Sequence, residues 1–285
     1  MNQLAIVARR VGRTLLLLLV VAAGTTVLVR FAPGFFSDER EIDAKYAEGA
    51  RSEVQAEQAS HQSISGILVR QVSGWTKGDL GESRQFQIPV TELIAPRIQV
   101  SALLLIRGIL FGWMLAICTA WPVSAMRRGG DFWGLPFTLL LATPTAAMAT
   151  VCILADAGGP VLVLALLIAA RDFKFLRRVL RQAWSSQHLL QGRAQGLGPA
   201  ALTRLHILPN TANRLRALAT LSIVTALAGL IPVEVIFNVP GIGQLAWSAI
   251  MNRDLPVLVA VSLLMAAVVA LASMFSTGDR TLEAA

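Results

Sequence analysis

Long apolar runs alternate with shorter polar and basic segments along this chain. A helix needs about 20 mostly apolar residues to cross a bilayer, and six segments approach that length. These segments lie at roughly 11–31, within 98–122, at 132–154, 159–170, 215–233 and 256–275. The fourth is short, although Lys and Arg side chains at its end can reach the interface and lengthen it. The pattern predicts an all-α integral membrane protein with six transmembrane helices, and a smaller number stays open.

The polar segments between these runs do not indicate a separate soluble domain. Residues 1–31 are predicted to contain a cytoplasmic end and the first transmembrane helix, and residues 32–97 an extracytoplasmic segment. Residues 98–285 are predicted to form a core with five further helices, including a cytoplasmic loop at 184–210. Basic residues before the first apolar run resemble a signal peptide, but no small-residue cleavage site follows. We therefore expect the first helix to be retained.

Composition and charge agree with a membrane location. Of the residues 55% are hydrophobic and 15% are charged, which is too apolar for an ordinary soluble domain. The net charge is +8, and the segments predicted to be cytoplasmic, 123–131 and 171–216, carry an excess of basic residues. Segment 171–216 has nine Lys and Arg against one Asp, whereas 32–97 has ten acidic residues against seven basic ones. Because cytoplasmic loops carry the excess of Lys and Arg, we predict a cytoplasmic N-terminus and no nucleic-acid partner.

The two cysteines and the polar residues do not suggest a metal site. Cys118 and Cys152 both lie inside apolar runs, where they are expected to be small core residues. Neither a disulfide framework nor a cluster with metal-ligand spacing is apparent.

A polar, basic insert, GRAQGLGPAALTRLHILPN at 192–210, interrupts the apolar pattern. Gly196 and Gly198 are expected to end one helix and turn the chain. Pro199 suits the first turn of a second helix, which should stop at Leu208 because Pro209 follows. Such a short amphipathic helix can lie on anionic membrane lipid or in the groove of a partner protein. Paired glycines at a sharp corner favour the protein partner over a merely solvated loop.

The insert resembles the cytoplasmic coupling loop, often called the EAA loop, of type I ABC importer permeases. It is most similar to the dipeptide, oligopeptide and nickel branch, which has an Ala-Arg-Ala-x-Gly-Leu pattern followed by His-x-Leu-x-Asn. The resemblance extends over nearly the whole chain, through Gly78–Ser83 with Pro89-Val90 and through Val233–Leu258. The loop and the last of these segments carry its most specific residues. In the last segment these are Glu234, Phe237, Pro240, Gly241, Gly243, Arg253, Asp254 and Pro256.

Three features of the sequence depart from the pattern of that branch. Gly192 replaces the first alanine of the loop, and His188-Leu189-Leu190 stands where an acidic residue or tyrosine is usual. The connection Ala155–Pro160 between the third and fourth apolar runs is much shorter than usual. Any substrate contact made by that connection in relatives is therefore in doubt here.

The resemblance implies a MetI-like permease fold and a transport subunit rather than an enzyme. The expected partners are ABC ATPase subunits that bind ATP and Mg²⁺, a second, related permease chain and an extracytoplasmic substrate-binding protein. The chain itself has no cofactor and no Gly-x-x-x-x-Gly-Lys-Ser/Thr pattern for nucleotide phosphates. The implied location is a bacterial or archaeal cytoplasmic membrane. The solute would be a di- or oligopeptide, or a related small molecule such as a nickel chelate or glutathione.

The resemblance assigns ATPase coupling to the loop. Gly196 would set its corner, Ala194 would allow close approach, and Leu197 and Leu205 would fill a groove. For His206 a helix cap or a partner of the helix dipole is the favoured interpretation. The predicted coupling residues are Gly192, Arg193, Ala194, Gly196, Leu197, Leu205, His206, Leu208, Pro209 and Asn210.

A second set of residues is predicted to line the pathway or its outer gate. Glu234 is a carboxylate near hydrocarbon, where charges tend to pair or mark a pathway; pairing, with Arg253 as one candidate partner, is favoured over substrate contact. Arg107 could lie in the pathway, lie at the outer interface if the span starts at Gly108, or pair with an acid of the second permease. The set is Arg107, Glu234, Phe237, Pro240, Gly241, Gly243, Arg253 and Asp254.

Two other functions compete with an importer subunit. A passive channel or secondary carrier would leave the insert without a role, and neither broken spans nor internal repeats are evident in the sequence. A degenerate permease that only assembles with an active partner is the other alternative.

Overall fold

A computed structural model describes residues 80–83, 85–125, 134–184, 198–252 and 254–276, together with ten positions between 12 and 25. These ten positions, in the first apolar run, are helical. The remainder of the described chain is helical too, apart from turns and one isolated β-bridge between Glu82 and Pro89. The helices are α1 Val90–Ala125, α2 Leu135–Ala142, α3 Thr145–Leu154, α4 Pro160–Trp184, α5 Pro199–Leu202, α6 Leu208–Ile236, α7 Ile242–Met251 and α8 Leu255–Ser276, with a π-helical turn at Thr203–Ile207.

Three of the described helices are long and apolar enough to cross a membrane, namely most of α1, all of α6 and most of α8. A fourth span is added if α2 and α3 together count as one. The all-α membrane fold is therefore confirmed, whereas the count of six transmembrane helices stays a prediction. The chain divides into two compact units, Met1–Arg97 with Leu245–Val268 and Ile98–Gln244 with Val269–Ala285.

The third apolar run, predicted as a span at 132–154, is not one straight helix. α2 ends at Ala142, α3 begins at Thr145, and the two helices are bent by 103°. Pro144 stands at the break and has no N–H to donate. It also disfavours helical backbone at the residue before it, and Thr143 is accordingly extended, with ψ of 129°. The pair is thus a broken span or a re-entrant loop, and this break was not evident in the sequence.

The prediction that Pro209 ends the short second helix was wrong. Helical backbone continues from Pro199 through the π-helical turn into α6, where Pro209 lies in the first turn. A proline is tolerated there because the first N–H groups of an α-helix have no intrahelical acceptor. The cap N–H of Leu208 donates to the carbonyl of Thr203, five residues earlier. Helical backbone thus continues through this wider turn from the short helix into the long one.

Close packing in the second unit places α4 against α1 and α6. A Cβ on Gly108 would lie 2.9 Å from Cβ of Leu164, and one on Gly112 would lie 2.9 Å from Cβ of Ile168. Small residues four positions apart let helix backbones approach closely within a membrane. A buried cluster continues this contact toward the basic end of α4. It comprises Ala116, Ala120, Ala169, Phe173, Leu176, Leu180, Leu202, Ile207 and Leu218.

Candidate functional site

The short helical segment before α6, residues 199–208, has two different faces and is called the coupling segment below. Leu202 and Ile207 are each 3% exposed and belong to the buried cluster. Leu205 is 60% exposed and Leu208 is 53% exposed. One face therefore holds the segment against the helices, and the other presents leucine side chains that the described residues leave largely exposed.

The coupling segment is also tied to the helix that precedes it. Arg214, in the second turn of α6, donates a hydrogen bond of 2.7 Å to Oε1 of Gln182 near the end of α4. The hydroxyl of Thr211 donates to the carbonyl of Ile207 at 2.7 Å and supports the joint with α6. The coupling segment is thus continuous with α6, and α6 is hydrogen-bonded to α4.

Several predicted coupling residues cannot be placed. Gly192, Arg193, Ala194, Gly196 and Leu197 lie outside the described residues, and the side chain of His206 does too. Pro209 and Asn210 are described and are exposed at the start of α6. Their assignment to coupling stays a prediction.

Glu234 lies near the end of α6 and is fully buried. Its Oε1 accepts a hydrogen bond of 2.6 Å from the hydroxyl of Ser101 on α1. Its Oε2 accepts from the backbone N–H of Gly243 at 2.7 Å and of Gln244 at 3.2 Å. A carboxylate is favourable at this position because the N-terminus of a helix carries partial positive charge. Glu234 therefore caps the first turn of α7.

Ser101 completes this cap, and the sequence analysis missed it. Its Oγ accepts a hydrogen bond of 2.7 Å from the N–H of Ile242 while donating to Glu234. Together the two side chains satisfy the first three N–H groups of α7, which have no acceptor within the helix. The only sequence signal was a single serine in an apolar run, and nothing local connects it with a glutamate 133 positions away.

The glycines that follow Glu234 leave room for this cap. A Cβ on Gly243 would lie 2.8 Å from Cα of Ile231, and one on Gly241 would overlap the carboxylate of Glu234. Asn238 takes a positive φ of 51° in the intervening turn, and its side-chain oxygen accepts from Nε2 of Gln244 at 2.7 Å. Phe237 is half-buried at the end of α6, and Pro240 is exposed. Arg253, the suggested partner of Glu234, lies outside the described residues.

Asp254 forms the centre of a separate cluster in the first unit. It is 1% exposed and accepts hydrogen bonds from the hydroxyl of Ser83 and from the N–H of Gln85, the latter at 3.4 Å. Gly81 has a φ of +84° in the same turn, and a Cβ there would lie 3.7 Å from Cβ of Pro256. Ser83, the last residue of the first sequence motif, thus contacts Asp254 of the second.

Arg107 is exposed on α1, near the middle of the helix. At 1.5 Å per residue it lies about 25 Å from Val90, and the whole helix of about 54 Å exceeds the hydrocarbon core of about 30 Å. Leu103, Ile106 and Leu110 beside it are exposed as well. Arg107 thus belongs to a largely apolar face that is exposed within the part of the chain that the structure describes.

Metal binding has no candidate site in the part of the chain that the structure describes. No group of three His, Cys, Asp or Glu side chains lies close enough there to hold a metal ion.

Comparison with known proteins identifies the family to which the chain is similar. Residues 108–278, more than half of the 285-residue chain, match the model of the binding-protein-dependent transport system inner membrane component. The chain is 24% identical over 306 aligned positions to the di/tripeptide transport system permease of Pseudomonas aeruginosa, covering 89% of this chain and 90% of that one. It is 23% identical to the dipeptide transport system permease of Escherichia coli, covering 70% and 74%.

A third relative is more similar over a shorter stretch. The metal-staphylopine import system permease of Staphylococcus aureus is 34% identical over 107 residues, which is 38% of this chain. The chain matches about a third of that relative's length, 34%. These relatives confirm the resemblance to ABC importer permeases of the peptide branch. The chain belongs to the family of binding-protein-dependent transport system inner membrane components, the multi-pass permease subunits of such transporters.

Proposed function

We propose that this chain is one permease subunit of an ATP-driven importer and forms half of its translocation pathway. The observation that carries the proposal is the two-faced coupling segment. Leu202 and Ile207 anchor it in the helical core, while Leu205 and Leu208 are exposed on the other side. An apolar helix face of this kind suits the groove of a partner protein. We assign the partner as an ABC ATPase subunit, in line with the family.

In this proposal the chemistry of ATP takes place in the partner. ATP and Mg²⁺ bind to the ATPase subunits, and the permease chain has no catalytic residue. When the ATPases close on ATP, they move the coupling segment, and its connection to α6 turns that movement into a change of the pathway. The positive charge of segment 171–216 supports a cytoplasmic position for the coupling segment and for the N-terminus. The location would be the cytoplasmic membrane of a bacterium or archaeon.

We propose peptides as the solute class. Two of the relatives above are permeases of dipeptide or di/tripeptide systems, and the third serves a metal chelate, metal-staphylopine. A nickel chelate or glutathione is therefore the related alternative. An extracytoplasmic binding protein would deliver the solute, and the turn Pro240–Gly243 would help to shape the surface that it meets. The other half of the pathway would come from a second, related permease chain.

Co-purification tests the proposal directly. The tagged chain is extracted from its own membranes in mild detergent, and mass spectrometry identifies the proteins recovered with it. ABC ATPase subunits and a second permease are expected. Any binding protein recovered can be denatured, and its released ligand then identifies the solute. A chain that purifies alone in several detergents would contradict the proposal and favour a passive carrier, for which the broken span α2–α3 would be the first place to look.

A further inference from the structure

A buried polar chain connects three helices of the second unit, α1, α4 and α6. Asp172 on α4 and Ser222 on α6 are both 0% exposed. The hydroxyl of Ser222 lies 2.6 Å from Oδ2 of Asp172 and donates to it. Nε1 of Trp113 on α1 donates to the same hydroxyl oxygen at 3.1 Å. The chain Trp113–Ser222–Asp172, called the polar chain below, thus spans α1, α6 and α4.

Asp172 has no other hydrogen bond that would account for its burial. Its second oxygen, Oδ1, has no hydrogen-bond partner among the residues that the structure describes. The neighbouring Arg171 directs Nη1 to the carbonyl of Leu221 at 2.8 Å. A buried polar group with incomplete hydrogen bonding is costly, and apolar residues often replace buried ionisable groups without loss of stability. Stability alone is therefore a poor reason for an aspartate here.

The position of the polar chain suggests a different reason. α4 leads into the coupling loop at 184–210, and α6 leads out of it. Asp172 and Ser222 join these two helices at the far end of the buried cluster from Leu202 and Ile207. Apolar contacts alone let packed helices shift by 1–2 Å, whereas one buried polar contact can fix the register of two helices.

We propose that Asp172 is a positioning residue that, through Ser222, holds α4 and α6 in one register so that a displaced coupling segment moves both helices together. This inference rests on the proposed function, because it needs an ATPase to displace the segment. Arg171, through the Leu221 carbonyl, and Arg214, through Gln182, join the same two helices by exposed hydrogen bonds. Asp172 differs from these contacts because it is fully buried, so water cannot replace its partner.

Spin-label distances test this inference in the complex purified with its ATPase subunits. Labels are placed on cysteines at the exposed positions Arg178 of α4 and Asn213 of α6, after the native Cys118 and Cys152 are replaced by serine or alanine. The label-to-label distance is measured without nucleotide and after trapping with ATP and vanadate. In the otherwise unsubstituted complex we expect one distance in both states, because the helices move together.

Four variants distinguish an effect of the Asp172–Ser222 hydrogen bond on helix register from an effect of altered side-chain packing. Asp172→Leu approximately keeps the side-chain volume and removes the hydrogen bond between Ser222 and Asp172. Ser222→Ala removes the same hydrogen bond by changing α6 instead of α4, and it is a smaller change in volume. Asp172→Asn keeps an acceptor for Ser222 and should restore the original behaviour. Thr119→Ala is the control, because among the described residues the Thr119 hydroxyl donates only to carbonyls of its own helix α1, those of Leu115 at 2.6 Å and Ala116 at 3.2 Å.

We expect Asp172→Leu and Ser222→Ala to show a second distance population, or a shift of about 1–2 Å, on trapping. Asp172→Asn and Thr119→Ala should behave like the unsubstituted complex. The inference is overturned if both bond-removing variants keep one unchanged distance, or if the unsubstituted complex already changes its distance on trapping. Loss of the ATPase from every preparation, the unsubstituted one included, would instead contradict the proposed function.

Discussion

The N–H of Gly243 donates a hydrogen bond of 2.7 Å to Oε2 of Glu234, nine positions earlier in the chain. This bond spans the turn between α6 and α7 and places a buried carboxylate at the start of α7. The same carboxylate reaches Ser101 on α1 through its other oxygen. A motif that resembles an outer loop in the sequence is thus a cap that joins three helices.

Gly241→Ala should disrupt this cap. The added Cβ would overlap the carboxylate of Glu234, and such overpacking typically costs about 1–3 kcal/mol. Thermal unfolding of the purified protein in detergent should therefore show a lower midpoint. Gly159→Ala is the matched control, since nothing lies within 4 Å of a Cβ there. Equal midpoints for the two variants would mean that the carboxylate does not hold its place tightly.

Ser101→Ala should weaken the cap from the other side. It removes a donor to Glu234 and leaves the buried N–H of Ile242 without its acceptor, at a cost of about 1–3 kcal/mol. The control is Ser262→Ala, whose hydroxyl donates only to the carbonyl of Leu258 in its own helix. Combined with Glu234→Gln, Ser101→Ala should be non-additive by about 0.5–3 kcal/mol in the free energy of unfolding. Strict additivity would show that the two side chains act independently.

Leu205→Ala should affect mainly ATPase binding, whereas Leu202→Ala should affect mainly the free energy of unfolding. Leu205 is 60% exposed, so its truncation should change the free energy of unfolding by less than about 0.5 kcal/mol but lower the amount of ATPase recovered with the chain. Leu202 is 3% exposed, and its truncation should cost about 2–5 kcal/mol. Both quantities are measured on the same detergent preparations. Undiminished ATPase recovery with Leu205→Ala would remove this leucine from the proposed docking face.

Gly112→Ala should separate α1 from α4. A Cβ at this position would lie 2.9 Å from Cβ of Ile168 and 3.0 Å from the carbonyl oxygen of Ala165. A backbone oxygen cannot rotate away, so we expect a loss of about 1–3 kcal/mol and a lower unfolding midpoint. Gly24→Ala has nothing within 4 Å and should be neutral or stabilising by about 1 kcal/mol at most. If Gly112→Ala were as stable as Gly24→Ala, the helix contact would have to be looser than described.

Local pattern was sufficient to predict the long helices of this protein. The run at 256–275 became α8, Leu255–Ser276, and the run at 215–233 lies within α6. Inside a bilayer a helix satisfies its own backbone groups, so twenty apolar residues determine both the structure and its location. Pro144 was also a local signal, but it was overlooked within an apolar run that was long enough to span.

The positions of the polar partners depended on tertiary structure. Ser101 meets Glu234 across 133 positions, Asp172 meets Ser222 across 50, and Ser83 meets Asp254 across 171. No sequence period connects such pairs, because each depends on which helix faces pack together. Pro209 illustrates the same limit, since its effect depended on the turn that precedes it. The sequence by itself determined an apolar helical chain with a basic insert and a family motif, and packing alone decided which buried polar groups hold the helices together.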